Sequence, residues 1–166
     1  MPFDGEVRRL ETQNEIELLA TELLAFAQRW SGENRCLATP GEIVSAIAGV
    51  VGNPSFAIWV AISRRGRVAA VAIACIEQEY IAGALPGEVF SRIHWMEIDQ
   101  KECQESGSVD DVVGCLLNEM KVNFDGLPFR YWTRGISGNG EAAPRRERKR
   151  FGKQGFIPKR VELGHP

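Results

Sequence analysis

The amino-acid sequence predicts a mixed α/β domain of the α+β type, with a central, mainly antiparallel mixed sheet covered by helices on both faces. Two Thr-x-x-Glu boxes, Thr12 to Glu15 and Thr39 to Glu42, each open a stretch whose apolar residues recur at helical spacing. Two runs rich in Ile, Val and Ala flank Arg64-Arg65-Gly66, which is the pattern of a hairpin. Those runs are apolar at nearly every position instead of every second one, so the sheet they build needs cover on both sides.

The elements follow in order. Residues 7–10 (VRRL) alternate weakly and predict a first strand. Thr12-Gln13-Asn14-Glu15 then starts a helix on which Ile16, Leu19, Leu23, Phe26, Ala27 and Trp30 line one face, ending near Ser31-Gly32. The second box carries a proline, Pro40, at the first helical position, where its missing N–H is not needed. The helix it opens bears Ile43, Ile47, Val50 and Val51 and stops at Gly52-Asn53-Pro54. Residues 56–63 and 67–77 form the hairpin, 80–89 with two Gly and a Pro read as a loop, and 93–99 (IHWMEID) suit another strand. After Ser106-Gly107-Ser108 a helix spans 109–122, with Val112, Val113, Leu116, Leu117 and Met120 on its apolar side and Asp110 and Asp111 in its first turn, where the helix dipole favours them. Strand 129–136, a basic helix over 141–150 and a closing strand over 156–163 complete the order β-α-α-β-β-β-α-β-α-β.

A chain of 166 residues fits one domain spanning 1–166, and at this size roughly 70% of the unfolded surface can be buried without a disulfide or metal staple. Cys36, Cys75, Cys103 and Cys115 are scattered, with no C-x-x-C pair and only two histidines in the chain, so no metal site is expected. The first residues are acidic where a signal peptide would be basic, and the longest apolar run, 68–76, is about half of what a membrane span requires. A reduced, cytoplasmic protein without a membrane partner is the expectation. The net charge of −2 conceals an asymmetry, because residues 141–166 carry eight Lys/Arg against three Glu. Arg145, Arg146, Arg148, Lys149 and Arg150 go all round a helix and cannot be a core face. They are either a solvated surface or a contact for a phosphate, nucleic acid or an acidic protein.

Two motifs carry chemistry. Gln104-Glu105-Ser106-Gly107-Ser108-Val109 resembles the Q/R-x-x-G-x-G/A motif of the GNAT (Gcn5-related N-acetyltransferase) superfamily, and Phe151-Gly152-Lys153-Gln154-Gly155-Phe156 resembles that family's Y-x-x-x-G-F. The element order is similar too, over about residues 7–163. The resemblance implies acetyl-coenzyme A, or another acyl-coenzyme A, as co-substrate and a small-molecule or protein amine as acceptor. It assigns the pyrophosphate to Gln104, Gly107, Ser108 and Val109, where glycine lets the backbone approach and the helix N–H groups donate. Without the family, the same residues read as a Ser-Gly turn with Ser108 as helix cap.

The resemblance also places a general base on the fourth strand, where His94 and Glu97 stand. Three apart on a strand, they face opposite sides unless a bulge intervenes. Glu97 has an alternative as a strand carboxylate paired with an arginine, and His94 as a structural residue. The family's tyrosine position is Phe151, which has no proton to give. Two functions follow. One is an acyl-coenzyme A-dependent N-acyltransferase, and the alternative is a catalytically inactive GNAT-like binding or structural module, for example in a phage particle or other assembly.

Overall fold

The computed structural model describes residues 2–34, 38–131 and 149–155. The chain divides into two compact units, Met1–Tyr131 and Trp132–Pro166. The first holds, in order, β1 (Gly5–Leu10), α1 (Gln13–Leu18), α2 (Ala20–Asn34), α3 (Pro40–Val50), β2 (Phe56–Ser63), β3 (Val68–Ile81), β4 (Leu85–Ile98), α4 (Gln100–Glu105), α5 (Val109–Asn123) and β5 (Phe129–Tyr131). In the second, residues 149–153 are helical and end in a turn in which Gln154 N–H donates to the Phe151 carbonyl at 3.0 Å.

The strands lie in sequence order, β1-β2-β3-β4-β5, with every pair antiparallel except β4 and β5. The hairpin closes at Gly66, whose φ of 75° suits glycine, and puts β3 in the middle of the sheet. Both faces are covered. Ile58, Val60, Ile62, Val71 and Ile73 pack with Ile16, Leu23, Phe26, Ile43 and Ile47 of the first three helices. Residues of opposite parity meet α5, with the Trp59 and Phe124 rings edge to face at 5.8 Å. The α5 residues Val112, Val113, Leu116, Leu117 and Met120 are all buried, as their spacing predicts.

Both capping boxes form, with Thr12 taking the Glu15 N–H and Thr39 taking the Glu42 N–H. The backbone hydrogen bonds that Glu15 and Glu42 receive in return hold each carboxyl below the usual glutamate range.

Three expectations are corrected. The first helix is two: the Leu19 N–H is shared between the carbonyls of Glu15 and Ile16, a tightened turn that ends α1 and restarts the chain as α2, which runs on to Asn34. The stretch 80–89 is strand, not loop, apart from a tight turn at 82–84 where Ala82 and Gly83 take φ of 51° and 76°. Its Gly and Pro are absorbed by a register shift between Gln78 and Tyr80, in a two-stranded arm that extends past the end of β2 and exposes Tyr80, Ile81 and Leu85. The third correction is α4, which the sequence order lacked. It is too short for a period to show, but Asp99, three residues before Glu102, caps it. The expected strand over 132–136, most of the basic helix and the closing strand lie outside the described residues.

Candidate active site

The site begins with a fault in the β3–β4 ladder. Ile73 pairs with Trp95 and Ala74 pairs with Ile93, so His94 is an extra residue in β4 with no partner in the register. The bulge changes which side chains share a face. Trp95 and Glu97 point towards α2, because Trp30 meets Trp95 edge to face at 5.9 Å and donates from Nε1 to Glu97 Oε2 at 2.7 Å. The His94 ring lies against Phe56 at 5.5 Å, and Phe56 packs on the same helical side of the sheet. The two candidate bases therefore share one face. Glu97 is half-buried and His94 exposed.

Below Glu97, Asp99 is 4% exposed and takes the Arg29 guanidinium at 2.5 Å. It also caps α4 by accepting from the Glu102 N–H at 3.1 Å. The Glu102 carboxylate is buried too, with Arg65 and Arg67 of the β2–β3 turn at 3.5 and 3.7 Å, yet its Oε1 makes no hydrogen bond among the described residues. Arg65 pairs more closely with Glu105. These contacts pin α4, and α4 leads directly into the turn at Ser106-Gly107-Ser108. From the N-terminal segment, the Asp4 N–H donates to the Ser106 carbonyl at 2.7 Å.

The turn opens α5. Gly107 has φ 139°, a conformation for which glycine is suited, and Ser108 caps the helix by accepting from the Asp111 N–H at 3.1 Å. The Ser108 hydroxyl in turn donates to the Asp111 carboxylate at 2.6 Å. A fifteen-residue helix behind the turn leaves the N–H of Val109 without an intrahelical acceptor, the arrangement that receives a phosphate. Asp110 and Asp111 beside it add charge of the wrong sign for that ligand. Gln104 is exposed on α4, two residues before the turn.

No family model and no curated protein matches the sequence. Solved structures do match its shape. A probable acetyltransferase is similar over 97% of both chains with a TM-score of 0.62 and 12% identity. The aminoglycoside 6'-N-acetyltransferase AAC(6')-Ih of Acinetobacter baumannii is similar over 97% of this chain and 98% of its own, with TM-score 0.60 and 14% identity. An acetyltransferase of Trypanosoma brucei is similar over 98% and 99%, with TM-score 0.58 and 14% identity. The chain shares the fold of these acetyltransferases.

Within this fold, the residues singled out in sequence divide into three sets. His94 and Glu97 are brought to one face by a bulge that no sequence period reveals. Gly107, Ser108 and Val109 form the turn and helix start. Phe151 is buried, Lys149 is exposed and Arg150 half-buried, while Arg145, Arg146 and Arg148 lie outside the described residues. Trp30, Asp99 and Arg29 were missed as site residues. The signal for Asp99 was its capping spacing to Glu102, whereas Trp30 read only as a core position on its helix. Among the described residues no group of three or more His, Cys, Asp or Glu is placed to hold a metal, and no helix is long and apolar enough to cross a membrane. Burial, then the neighbouring Glu77, pushes the Cys75 thiol up, and burial does the same to Cys115.

Proposed function

We propose that this protein is an acyl-coenzyme A-dependent N-acyltransferase, taking acetyl-coenzyme A or another acyl-coenzyme A and acylating a small-molecule or protein amine. The observation that carries the reading is the β4 bulge, which sets His94 and Glu97 on one face beside Trp30 in a GNAT fold. Glu97 accepts the proton of the acceptor's ammonium group, directly or through one water. The free amine attacks the thioester carbonyl, forming the C–N bond. The C–S bond then breaks, the nitrogen gives up its second proton to a water, and that proton passes to the leaving thiolate, Phe151 at the family's tyrosine position having none to give. A backbone N–H released from the ladder at the bulge is suited to stabilise the carbonyl oxygen as it gains charge. The pyrophosphate is received at the start of α5 by the Val109 N–H, with Gly107 keeping the approach clear. The free thiols of Cys75, Cys103 and Cys115 accord with a cytoplasmic setting.

The test is calorimetry with acetyl-coenzyme A followed by acyl transfer to a panel of amines. Glu97→Gln is expected to lower kcat roughly a hundredfold or more, the span of general-base effects. No binding to the unmutated protein, or full turnover by the Gln variant, refutes the reading. The second reading, a GNAT-fold binding module, is favoured by one observation: the first turn of α5 carries Asp110 and Asp111 where an anionic ligand would lie. Its partner would meet the basic cluster from Arg145 to Arg150. It predicts no acyl transfer and partner capture that weakens steeply with salt when that partner is acidic protein or nucleic acid.

A further inference from the structure

Two successive residues of α2 reach two alternate carboxylates of the β4 end. Arg29 takes Asp99 and also donates to the Val68 carbonyl at 3.3 Å, while Trp30 donates to Glu97 Oε2 at 2.7 Å. The two donors differ in kind. A guanidinium is a permanent cation that strongly favours the ionised carboxylate, whereas an indole N–H is neutral and gives direction without a full charge.

On the acyltransferase reading above, we propose that Trp30 is a positioning residue that aims Glu97 at the acceptor nitrogen. The geometry around the indole supports a fixed role. Its ring is set edge to face on Trp95 at an interplanar angle of 86°, and one turn earlier Phe26 and Ala27 are fully buried and anchor the helix. Trp95 is two residues from Glu97 on the same strand face, so indole, indole and carboxylate form one packed unit across α2 and β4. Arg29 on Asp99 keeps the helix from sliding along the strand. The carboxylate thus owes its direction to a different element from the one that carries it.

The test uses Trp30→Phe, which keeps an aromatic ring against Trp95 and removes the donor. In acyl transfer, kcat should fall roughly tenfold or more, as for loss of a hydrogen bond to a charged group, with KM within about twofold. In the Glu97→Gln background the same change should cost little further, because the group it aims is already gone. A loss of equal size in both backgrounds means a merely structural role and overturns the proposal. A second readout needs no activity. The Trp30 indole proton in a 15N-labelled sample should move upfield and exchange faster with solvent in Glu97→Gln, while melting temperatures confirm that both variants fold. An indole proton indifferent to Glu97→Gln also overturns it. If the unmutated protein transfers no acyl group, the acyltransferase reading falls, and the indole proton alone decides whether Trp30 holds Glu97.

Discussion

Asp99 joins three elements, and its replacement offers the most quantitative test of how the site is held. Its carboxylate is 4% exposed, pairs with Arg29 at 2.5 Å and caps α4 through the Glu102 N–H at 3.1 Å. Asp99→Asn keeps a capping acceptor and removes only the charge. Arg29 remains 34% exposed, so water screens the pair and the loss falls between the surface and buried limits, at about 1–2 kcal/mol. Asp99→Ala removes the cap as well, adding about 1 kcal/mol, and leaves the buried Glu102 N–H without its acceptor. The total is about 2–4 kcal/mol, or a fall in Tm of roughly 4–16 °C at this chain length. Urea unfolding followed by tryptophan fluorescence and circular dichroism measures both variants. Adding Arg29→Met to Asp99→Ala should restore part of the loss, since the stranded guanidinium is then gone. Equal losses for Asn and Ala, or an Ala loss below about 0.5 kcal/mol, refute the claim that Asp99 acts as both cap and ion-pair partner.

Two further outcomes follow from charges near the turn and from the buried thiols. Asp110→Asn should tighten acetyl-coenzyme A about two- to fivefold by calorimetry while lowering stability by about 0.3–1 kcal/mol, because a carboxylate that suits the helix dipole opposes the phosphate. No change in affinity would place the phosphates elsewhere. The Cys75 thiol is raised in the folded state, chiefly by burial, so the unfolded chain ionises first. Its contribution to stability is complete below the ordinary thiol value and is lost as pH rises from there to the folded value. Unfolding free energy should therefore decline with pH above roughly 8.5, less so in Cys75→Ala, and alkylation of Cys75 in the folded protein should be slow at that pH. Rapid alkylation of Cys75 without unfolding would contradict its burial.

Local chemistry made much of the fold legible. Thr12 and Thr39 mark their helices because a hydroxyl three residues before a glutamate satisfies two orphan N–H groups within a few residues of chain. Arg64-Arg65-Gly66 marks the hairpin because the turn needs a residue at positive φ, and the alternation-free runs beside it require cover on both faces. Ser108 and the apolar spacing of 112–120 placed α5 for the same kind of reason. The candidate site was legible only as a set of residues. Ser106-Gly107-Ser108 could be located, because a turn and a helix cap are encoded side by side. The relation between His94 and Glu97 could not, since the bulge arises from how β4 registers against β3 and leaves no mark in β4 itself. Nor could sequence show that Trp30, 67 positions from Glu97, donates to it, or that Arg29 closes on Asp99. The strand arm at 80–89 misled for a related reason, because glycine and proline break isolated strands but fit a bulged arm with solvent-facing edges. The sequence by itself determined which segments are helix, strand and turn wherever the signal lies within one element. Tertiary structure decided which side chains meet, because strand register and helix docking are properties of the packed sheet and of no single segment.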